Sequence, residues 1–148
     1  MIDRVTRHIK IPTWGWPCKL AFAYNSVIRG TWIPSLQVAA MLNCYIENTS
    51  PNLNDEIQYK FAHRAGAFTF VLLAGMGNAT AIITIYIDGV SQGTIDLYNA
   101  VPTVWNNFLT LAINILTNGE HTLNIKATSK NGASTNYYVP LIAWWIRD

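Results

Sequence analysis

Asp88 and Asp96 are the only charged residues in the stretch IYIDGVSQGTIDLY, residues 85–98. Paired carboxylates can bind calcium or act as a general acid and base. A calcium site needs several oxygen ligands converging from one loop, whereas a whole predicted strand separates these two carboxylates. Asp88-Gly89 is also a strong signal for a type I′ hairpin turn, which requires positive φ at both central residues. The sequence therefore predicts that Asp88 forms a turn and that Asp96 is an outward polar residue of the returning strand.

The other residues that could do chemistry are isolated. His8, His63 and His121 have no cysteine or carboxylate at metal-ligand spacing. No GxSxG motif marks a nucleophile, and GMGNAT is too short for a phosphate-binding loop. We therefore expect no enzymatic activity, no catalytic residues, no cofactor and no metal site.

Tryptophan is the most conspicuous candidate for binding, since the chain has six. Indole rings anchor interfaces and can stack on sugar rings, but they also fill cores. Successive residues of a strand point to opposite faces, so one of Trp144 and Trp145 is predicted to be in the core. The other must be covered by an arm, a partner or a ligand. Trp105, in the loop NAVPTVWNN, is the best candidate for stacking on a sugar. The possible glycan or partner contacts are thus Trp105, Trp144 and Trp145.

The N-terminal part of the chain is basic and rich in proline and tryptophan. Asp3 is the only acidic residue among residues 1–29, and no Lys or Arg occurs between Arg64 and Lys126. Proline resists both helix interiors and central strands, which favours an extended arm over residues 1–54 that can contribute a strand. We predict that this arm binds an acidic partner protein, because a single-strand nucleic-acid binder would need more Lys and Arg along a groove. The predicted arm contacts are Arg4, Arg7, Lys10, Trp14, Trp16, Lys19, Arg29 and Trp32.

The composition favours a protein whose surface is largely covered. Charged residues make up 12% of the chain, compared with about 25% in an average soluble domain. We infer coverage by neighbouring subunits, the alternative being a neutral Asn/Thr-rich β-protein that exists alone. The net charge of +2 is too small to imply nucleic-acid binding. No apolar run approaches the ~18 residues of a membrane span. Two cysteines without motif spacing favour free thiols in a reducing cytoplasm over a disulfide.

Residues 55–148 are predicted to form consecutive strands separated by short turns. HTLNIKAT alternates apolar and polar residues, while AFTFVLLA is a nearly continuous apolar run. Asn118-Gly119, like Asp88-Gly89, predicts a hairpin, and Asn131-Gly132 predicts a loop. Pro140 predicts an edge position or a bulge in the last strand. The segment LQVAAMLNCYIE (36–47) suits a strand slightly better than a short helix. This pattern is typical of an all-β sandwich or barrel.

Two segments together carry a resemblance to known proteins: IYIDGVSQGTIDLY and NGEHTLNIKATSKNGASTNYYVPLIAWWIR. Over roughly residues 56–148, they resemble the small jelly-roll domains of tailed-phage structural proteins, and more distantly the carbohydrate-binding β-sandwiches. The resemblance implies a jelly-roll β-sandwich with an extended N-terminal arm and no catalytic residues. It also implies a virion protein, such as a capsid decoration or cement protein, or a tail component that binds receptor glycans.

The first functional hypothesis is accordingly a non-enzymatic decoration or cement protein of a phage capsid. It would be made in the host cytoplasm, bind the major capsid protein through the arm on the capsid surface, and form a homo-oligomer, either a dimer or a trimer. It would bind neither nucleic acid nor membranes. The alternative is a carbohydrate-binding, receptor-binding β-sandwich module of a phage tail or of a secreted protein.

Overall fold

The computed structural model describes residues 17–37, 39–40 and 42–148. The regular secondary structure of the described residues is all strand. None of these residues forms a helix long and apolar enough to cross a membrane. The eleven strands are β1 (Cys18–Leu20), β2 (Ser26–Arg29), β3 (Trp32–Leu36), β4 (Cys44–Asn48), β5 (Glu56–His63), β6 (Gly66–Met76), β7 (Ala81–Ile87), β8 (Val90–Asp96), β9 (Val104–Ile115), β10 (Gly119–Lys130) and β11 (Leu141–Arg147).

The strands form two antiparallel sheets packed face to face. Sheet I has the order β3-β4-β11-β6-β9, and β1 also pairs with β11. Sheet II has the order β2-β5-β10-β7-β8. The protein is therefore an all-β jelly-roll sandwich, as the sequence predicts.

The core lies between the sheets and follows from the alternation along the strands. In β10, Leu123, Ile125 and Ala127 are buried, while the intervening residues are half-buried on the outer face. In β6, every residue from Phe70 to Gly75 is buried. A strand that is apolar on both faces must be covered on both faces. The outer face of sheet I is thus not an ordinary solvated surface.

Turn chemistry explains two of the connections. Asp88 and Gly89 have φ values of 50° and 79°, the positive pair that a type I′ turn needs, which confirms the predicted hairpin between β7 and β8. Asn118-Gly119 instead joins β9 of sheet I to β10 of sheet II, so the predicted hairpin is wrong there. The Asn118 side chain accepts a hydrogen bond of 2.8 Å from the Ala65 amide, which ties this crossing to the β5–β6 connection.

The predicted arm is in large part sandwich. Residues 18–48 supply β1 to β4, because their backbone groups pair with β5 and β11 and with each other. Residues 1–16 lie outside the described residues. The segment 36–47 contains the end of β3 and most of β4. Pro140 precedes a β-bulge between Leu141 and Ala143, in line with the predicted irregularity.

Candidate functional site

The cross-strand register places apolar side chains in rows across the outer face of sheet I. Trp144 points into the core, so its neighbours Ala143 and Trp145 lie on the outer face. One row contains Leu20, Ala143, Leu73 and Phe108, and the next contains Cys18, Trp145, Val71 and Thr110. Strands β1, β11, β6 and β9 therefore build a continuous apolar floor.

Trp145 and Phe108 form the first aromatic pair on this floor. Their ring centroids are 5.9 Å apart in an edge-to-face arrangement. Trp145 is half-buried, and Phe108 is 55% exposed on the edge strand β9. Exposed aromatic rings in this arrangement leave a ring face and an edge available to a ligand.

Trp105 and Tyr45 form the second pair, with ring centroids 4.6 Å apart. Trp105 packs against the Tyr45 cluster on the outer side of the sheet because a β-bulge at this point shifts the register between β6 and β9. Asn106, within the bulge, has a φ of 64°. A Cβ at Gly75 would lie 3.1 Å from Cζ3 of Trp105, so the indole rests directly on the backbone of β6.

Polar groups occupy one end of this surface. Glu47 accepts hydrogen bonds from the Ser35 hydroxyl at 2.7 Å and from the Tyr138 hydroxyl at 2.6 Å. Burial, and then the hydrogen bond to Glu47, raises the pKa of Tyr138, so its hydroxyl remains a protonated donor. We call the set Tyr45, Trp105, Phe108, Tyr138 and Trp145 the aromatic face.

The floor between the two pairs is uncharged. Among the described residues of β1, β11, β6 and β9 whose side chains share this outer face, the charged one is Arg147, one row beyond Trp145. Val71, Leu73 and Ala143 on this floor are buried. A ligand would therefore contact the rings of Trp105, Trp145 and Phe108 rather than the floor itself. The carboxylate of this surface is Glu47, and the described strands β1, β11, β6 and β9 add no second carboxyl group.

The outer face of sheet II has the opposite character. A hydrogen-bonded network crosses it from β2 through β5 to β10, and its members are Ser26, Gln58, Asn124, Glu56 and Lys126. Asn124 donates to Glu56 at 2.5 Å, and Lys126 pairs with Glu56 at 3.6 Å. Tyr86 lies opposite Asn124 beside a shallow depression of about 220 Å³. The polar groups here largely satisfy one another.

Asp88 and Asp96 have the structural roles that the sequence predicts. Asp88 accepts hydrogen bonds from the Thr122 amide at 2.8 Å and from Nδ1 of His121 at 2.6 Å. Burial alone would raise the pKa of Asp88, but these hydrogen bonds outweigh it and hold the pKa below its ordinary value. Asp96 accepts from the Asn131 side chain at 2.9 Å. The two carboxylates thus fasten turns to neighbouring segments.

The contact between Asp88 and His121 is not predicted from the sequence, because it joins the β7–β8 turn to β10, which is adjacent to β7 only in the folded sheet. His121 is buried, and its Nε2 has no hydrogen-bond partner. Within the described ranges, no three His, Cys, Asp or Glu side chains are grouped to hold a metal ion.

Two predicted contact residues are core residues. Trp144 is fully buried and meets Tyr59 edge-to-face at 5.5 Å, so the prediction that it contacts a glycan or partner is wrong. Trp32 is 5% exposed and donates from Nε1 to the Arg29 carbonyl at 3.0 Å. The core fills with the largest apolar rings available, and both indoles belong to it.

The remaining predicted arm contacts are not brought together. Lys19 is half-buried in β1 of sheet I, whereas Arg29 is exposed in β2 of sheet II. The others lie outside the described residues: Arg4, Arg7, Lys10, Trp14 and Trp16. Their binding to a partner stays a prediction.

The chain is similar to solved structures, but not to any protein-family model or curated sequence. A xanthan lyase from Paenibacillus is similar with a TM-score of 0.74 and 15% identity over 88% of this chain, but the match spans only 13% of the lyase. A family 35 carbohydrate-binding module from Clostridium thermocellum has a TM-score of 0.61 and 19% identity over 89% of this chain and 98% of the module.

A third neighbour is the CBM36-1 domain of a multidomain xylanase from the hindgut metagenome of Trinervitermes trinervoides. Its TM-score is 0.64, with 16% identity over 90% of this chain and 98% of that domain. At such low identities, the comparisons establish the fold: a jelly-roll β-sandwich of the kind seen in carbohydrate-binding modules.

These neighbours overturn the capsid hypothesis. Carbohydrate-binding modules of families 35 and 36 match the chain nearly end to end, in place of the virion decoration or cement protein expected from the sequence. The resemblance to phage domains itself stays a prediction. A homo-oligomer stays a prediction.

Proposed function

We propose that this protein is a non-catalytic carbohydrate-binding module that binds glycans on the aromatic face. The observation that carries the proposal is the partial exposure of Trp105, Trp145 and Phe108 on one uncharged sheet surface. The similarity to carbohydrate-binding modules supports it at the level of fold.

The physical basis is the two-sided character of a sugar. The C–H-rich face of a pyranose ring is apolar, and covering an indole with it removes apolar surface from water at about 25 cal/mol per Å². The rim of hydroxyl groups needs hydrogen-bond partners. At one end of the face, the Glu47 carboxylate and the Tyr138 hydroxyl oxygen keep acceptor lone pairs beyond the hydrogen bonds they already make. Stacking gives affinity, and these polar groups give orientation.

Binding without catalysis is proposed because this surface lacks a pair of facing acid and base groups. Glycoside hydrolysis uses two carboxyl groups on opposite sides of the scissile bond. Glu47 is the carboxylate at the aromatic face, and both of its oxygens already accept hydrogen bonds.

The test is a glycan array with the full chain, followed by titration of tryptophan fluorescence with the glycans that respond. The variants Trp105→Ala and Phe108→Ala should weaken binding by tenfold or more, about 1.4 kcal/mol. Tyr86→Ala, on the outer face of sheet II, is the matched aromatic control and should bind like the unaltered protein. No response across neutral and charged glycans, or undiminished binding by both aromatic-face variants, would refute the proposal.

A further inference from the structure

Strand β9 is an edge strand without the features that normally keep a sheet edge from pairing. It is the last strand of sheet I, so one side of its backbone has no partner strand in the described part of the chain. It spans 12 residues and contains neither a proline nor a charged side chain. No charged residue occurs anywhere between Asp96 and Glu120. A long, uncharged edge of this kind is a template for pairing with another chain.

The other strands at sheet edges do carry such features, since short length, charge, proline and bulges all blunt an edge. β1 and β2 are three and four residues long, and β2 ends in the exposed Arg29. β3 contains Pro34, which has no backbone N–H to donate. β8 has a register shift against β7, and its Gly93 has a φ of 135°. Among these strands, β9 is therefore the edge that is available for pairing.

One hydrogen bond shows which backbone groups of β9 point to the open edge. The Asn114 amide donates to Oε1 of Gln92 at 2.8 Å, so it points away from β6. The register with β6 is regular over this part of β9, and in an antiparallel strand alternate residues direct their N–H and C=O groups to the same side. The backbone groups of Phe108, Thr110 and Ala112 therefore also point to the open edge.

The exposed side chains along this stretch suit a second copy of the same strand. Phe108, Thr110 and Ala112 are all exposed. In an antiparallel pair with a two-fold axis at Thr110, each Phe108 lies opposite Ala112 of the second copy, so a large side chain meets a small one. The two Thr110 residues then lie opposite each other, and Thr–Thr pairs are favourable in sheets.

The inner face of β9 fits the same register. Leu109 and Leu111 are half-buried against the core. Leu109 would lie opposite Leu111 of the second copy at a non-hydrogen-bonded position, where side chains approach most closely. Each copy would thus bury apolar surface that the other leaves at the sheet edge. Charge does not oppose the association, because the net charge is only +2 and β9 itself is uncharged.

We propose that two copies of this chain associate through β9, paired antiparallel about a two-fold axis at Thr110. Sheet I of one copy then continues into sheet I of the other. The backbone groups of Phe108, Thr110 and Ala112 in each copy are satisfied by the same groups of the second copy. The partner is a second copy because this register sets the strand against itself with no like charges and no bulky pair in opposition.

Sedimentation equilibrium of the full chain, over a wide range of protein concentrations, tests this association. We expect a monomer–dimer equilibrium. Thr110→Lys places two like charges opposite each other and should weaken dimerisation at least about tenfold. Ser91→Lys introduces the same charge at an exposed position of the edge strand β8 and is the matched control. It should dimerise like the unaltered chain.

A mixture of two variants guards against a folding defect at Thr110. Thr110→Glu alone should dimerise as weakly as Thr110→Lys, for the same reason. An equimolar mixture of the two variants should recover the dimer, because opposite charges then face each other at the axis. A misfolded variant would not be rescued in this way.

The results that would overturn the inference are distinct. A chain that stays monomeric at all concentrations overturns it, and so does a dimer that survives in Thr110→Lys. A trimer or a larger assembly also overturns it, since a two-fold pairing closes at two copies. Loss of the dimer in Ser91→Lys, or no recovery in the mixture, would show that the copies do not meet at β9.

Discussion

The two outer faces of this sandwich differ in what they leave to solvent. On sheet II, side chains such as Gln58, Asn124 and Lys126 form a network whose members satisfy one another. On sheet I, the corresponding positions carry Trp145, Phe108 and other apolar groups. In antiparallel sandwiches, the face away from the core is ordinarily polar, so sheet II follows the rule and sheet I breaks it.

The difference between the two faces bears on the low content of charged residues. A composition with 12% charged residues does not say where charge is missing. In sheet I, the long strands β6 and β9 have no charged residue between Gly66 and Met76 or between Val104 and Ile115. In sheet II, β7 also has none, whereas β5 and β10 carry several. The coverage by neighbouring subunits that the composition predicts stays a prediction.

The largest difference in stability between the inner and outer faces of sheet I should come from substitutions of the adjacent residues Trp144 and Trp145. Trp144→Ala removes a fully buried ring and should lower the free energy of unfolding by about 3–5 kcal/mol. Trp145→Ala removes a half-buried ring from the outer face and should cost no more than about 1–2 kcal/mol. Urea denaturation followed by circular dichroism measures both. Equal losses would mean that the outer cluster is a second core and not a binding surface.

A substitution at Gly75 should perturb the aromatic face through Trp105. Any Cβ there would lie within 3.1 Å of the indole, of Pro140 and of Thr103, so Gly75→Val should displace the ring and cost about 1–3 kcal/mol by overpacking. Gly132→Val, at a loop position with nothing within 4 Å, is the control and should be nearly neutral. The readout is the unfolding midpoint together with glycan affinity. Unchanged affinity in Gly75→Val would show that the position of Trp105 does not matter for binding.

The smallest effect is expected at the edge of sheet II, from Asp88. The hydrogen bonds from His121 and Thr122 hold its pKa below the ordinary value of 3.8, so its carboxylate stabilises the fold above that pH. This contribution is lost as the pH falls through the lowered pKa. Asp88→Asn keeps a residue that tolerates positive φ and should therefore show a slightly shallower loss of stability between about pH 5 and pH 3. Urea unfolding midpoints of both proteins across that pH range test this prediction. Identical pH profiles would show that the Asp88 carboxylate does not contribute to the pH dependence of stability.

The sequence predicts the sandwich well wherever local patterns decide the outcome. Alternation fixes β10, and Asp88-Gly89 fixes a turn, because both depend on neighbouring residues alone. The integration of residues 18–48 was not predicted, since it depends on pairing with β5 and β11, far along the chain. Prolines and tryptophans in that part suggested an arm, but Trp32 is an ordinary core residue.

The site was only half predictable for the same reason. Adjacent tryptophans in a strand imply that one faces out, and Trp145 does. The position of Trp105 depends on the bulge near Asn106 and on the absence of a Cβ at Gly75. Neither feature can be recognised in the sequence before the pairing of β6 with β9 is known. Nor does a sequence show that Tyr45 and Trp105 meet, since they lie on β4 and β9, which β11 and β6 separate in sheet I.

The pairing of β1 with β11 also bears on how the protein is made. Residues Cys18–Leu20 hydrogen-bond to residues near Trp145, so β1 has no partner until almost the whole stretch between them has been synthesised. At ribosomal rates of roughly 5–20 residues per second, that wait lasts several seconds or more. During this delay, β6 and β9 have already left the ribosome, but sheet I still lacks its central strand, β11. Nascent chains of this protein are therefore expected to be more prone to aggregation, and to need a chaperone more, than the finished domain.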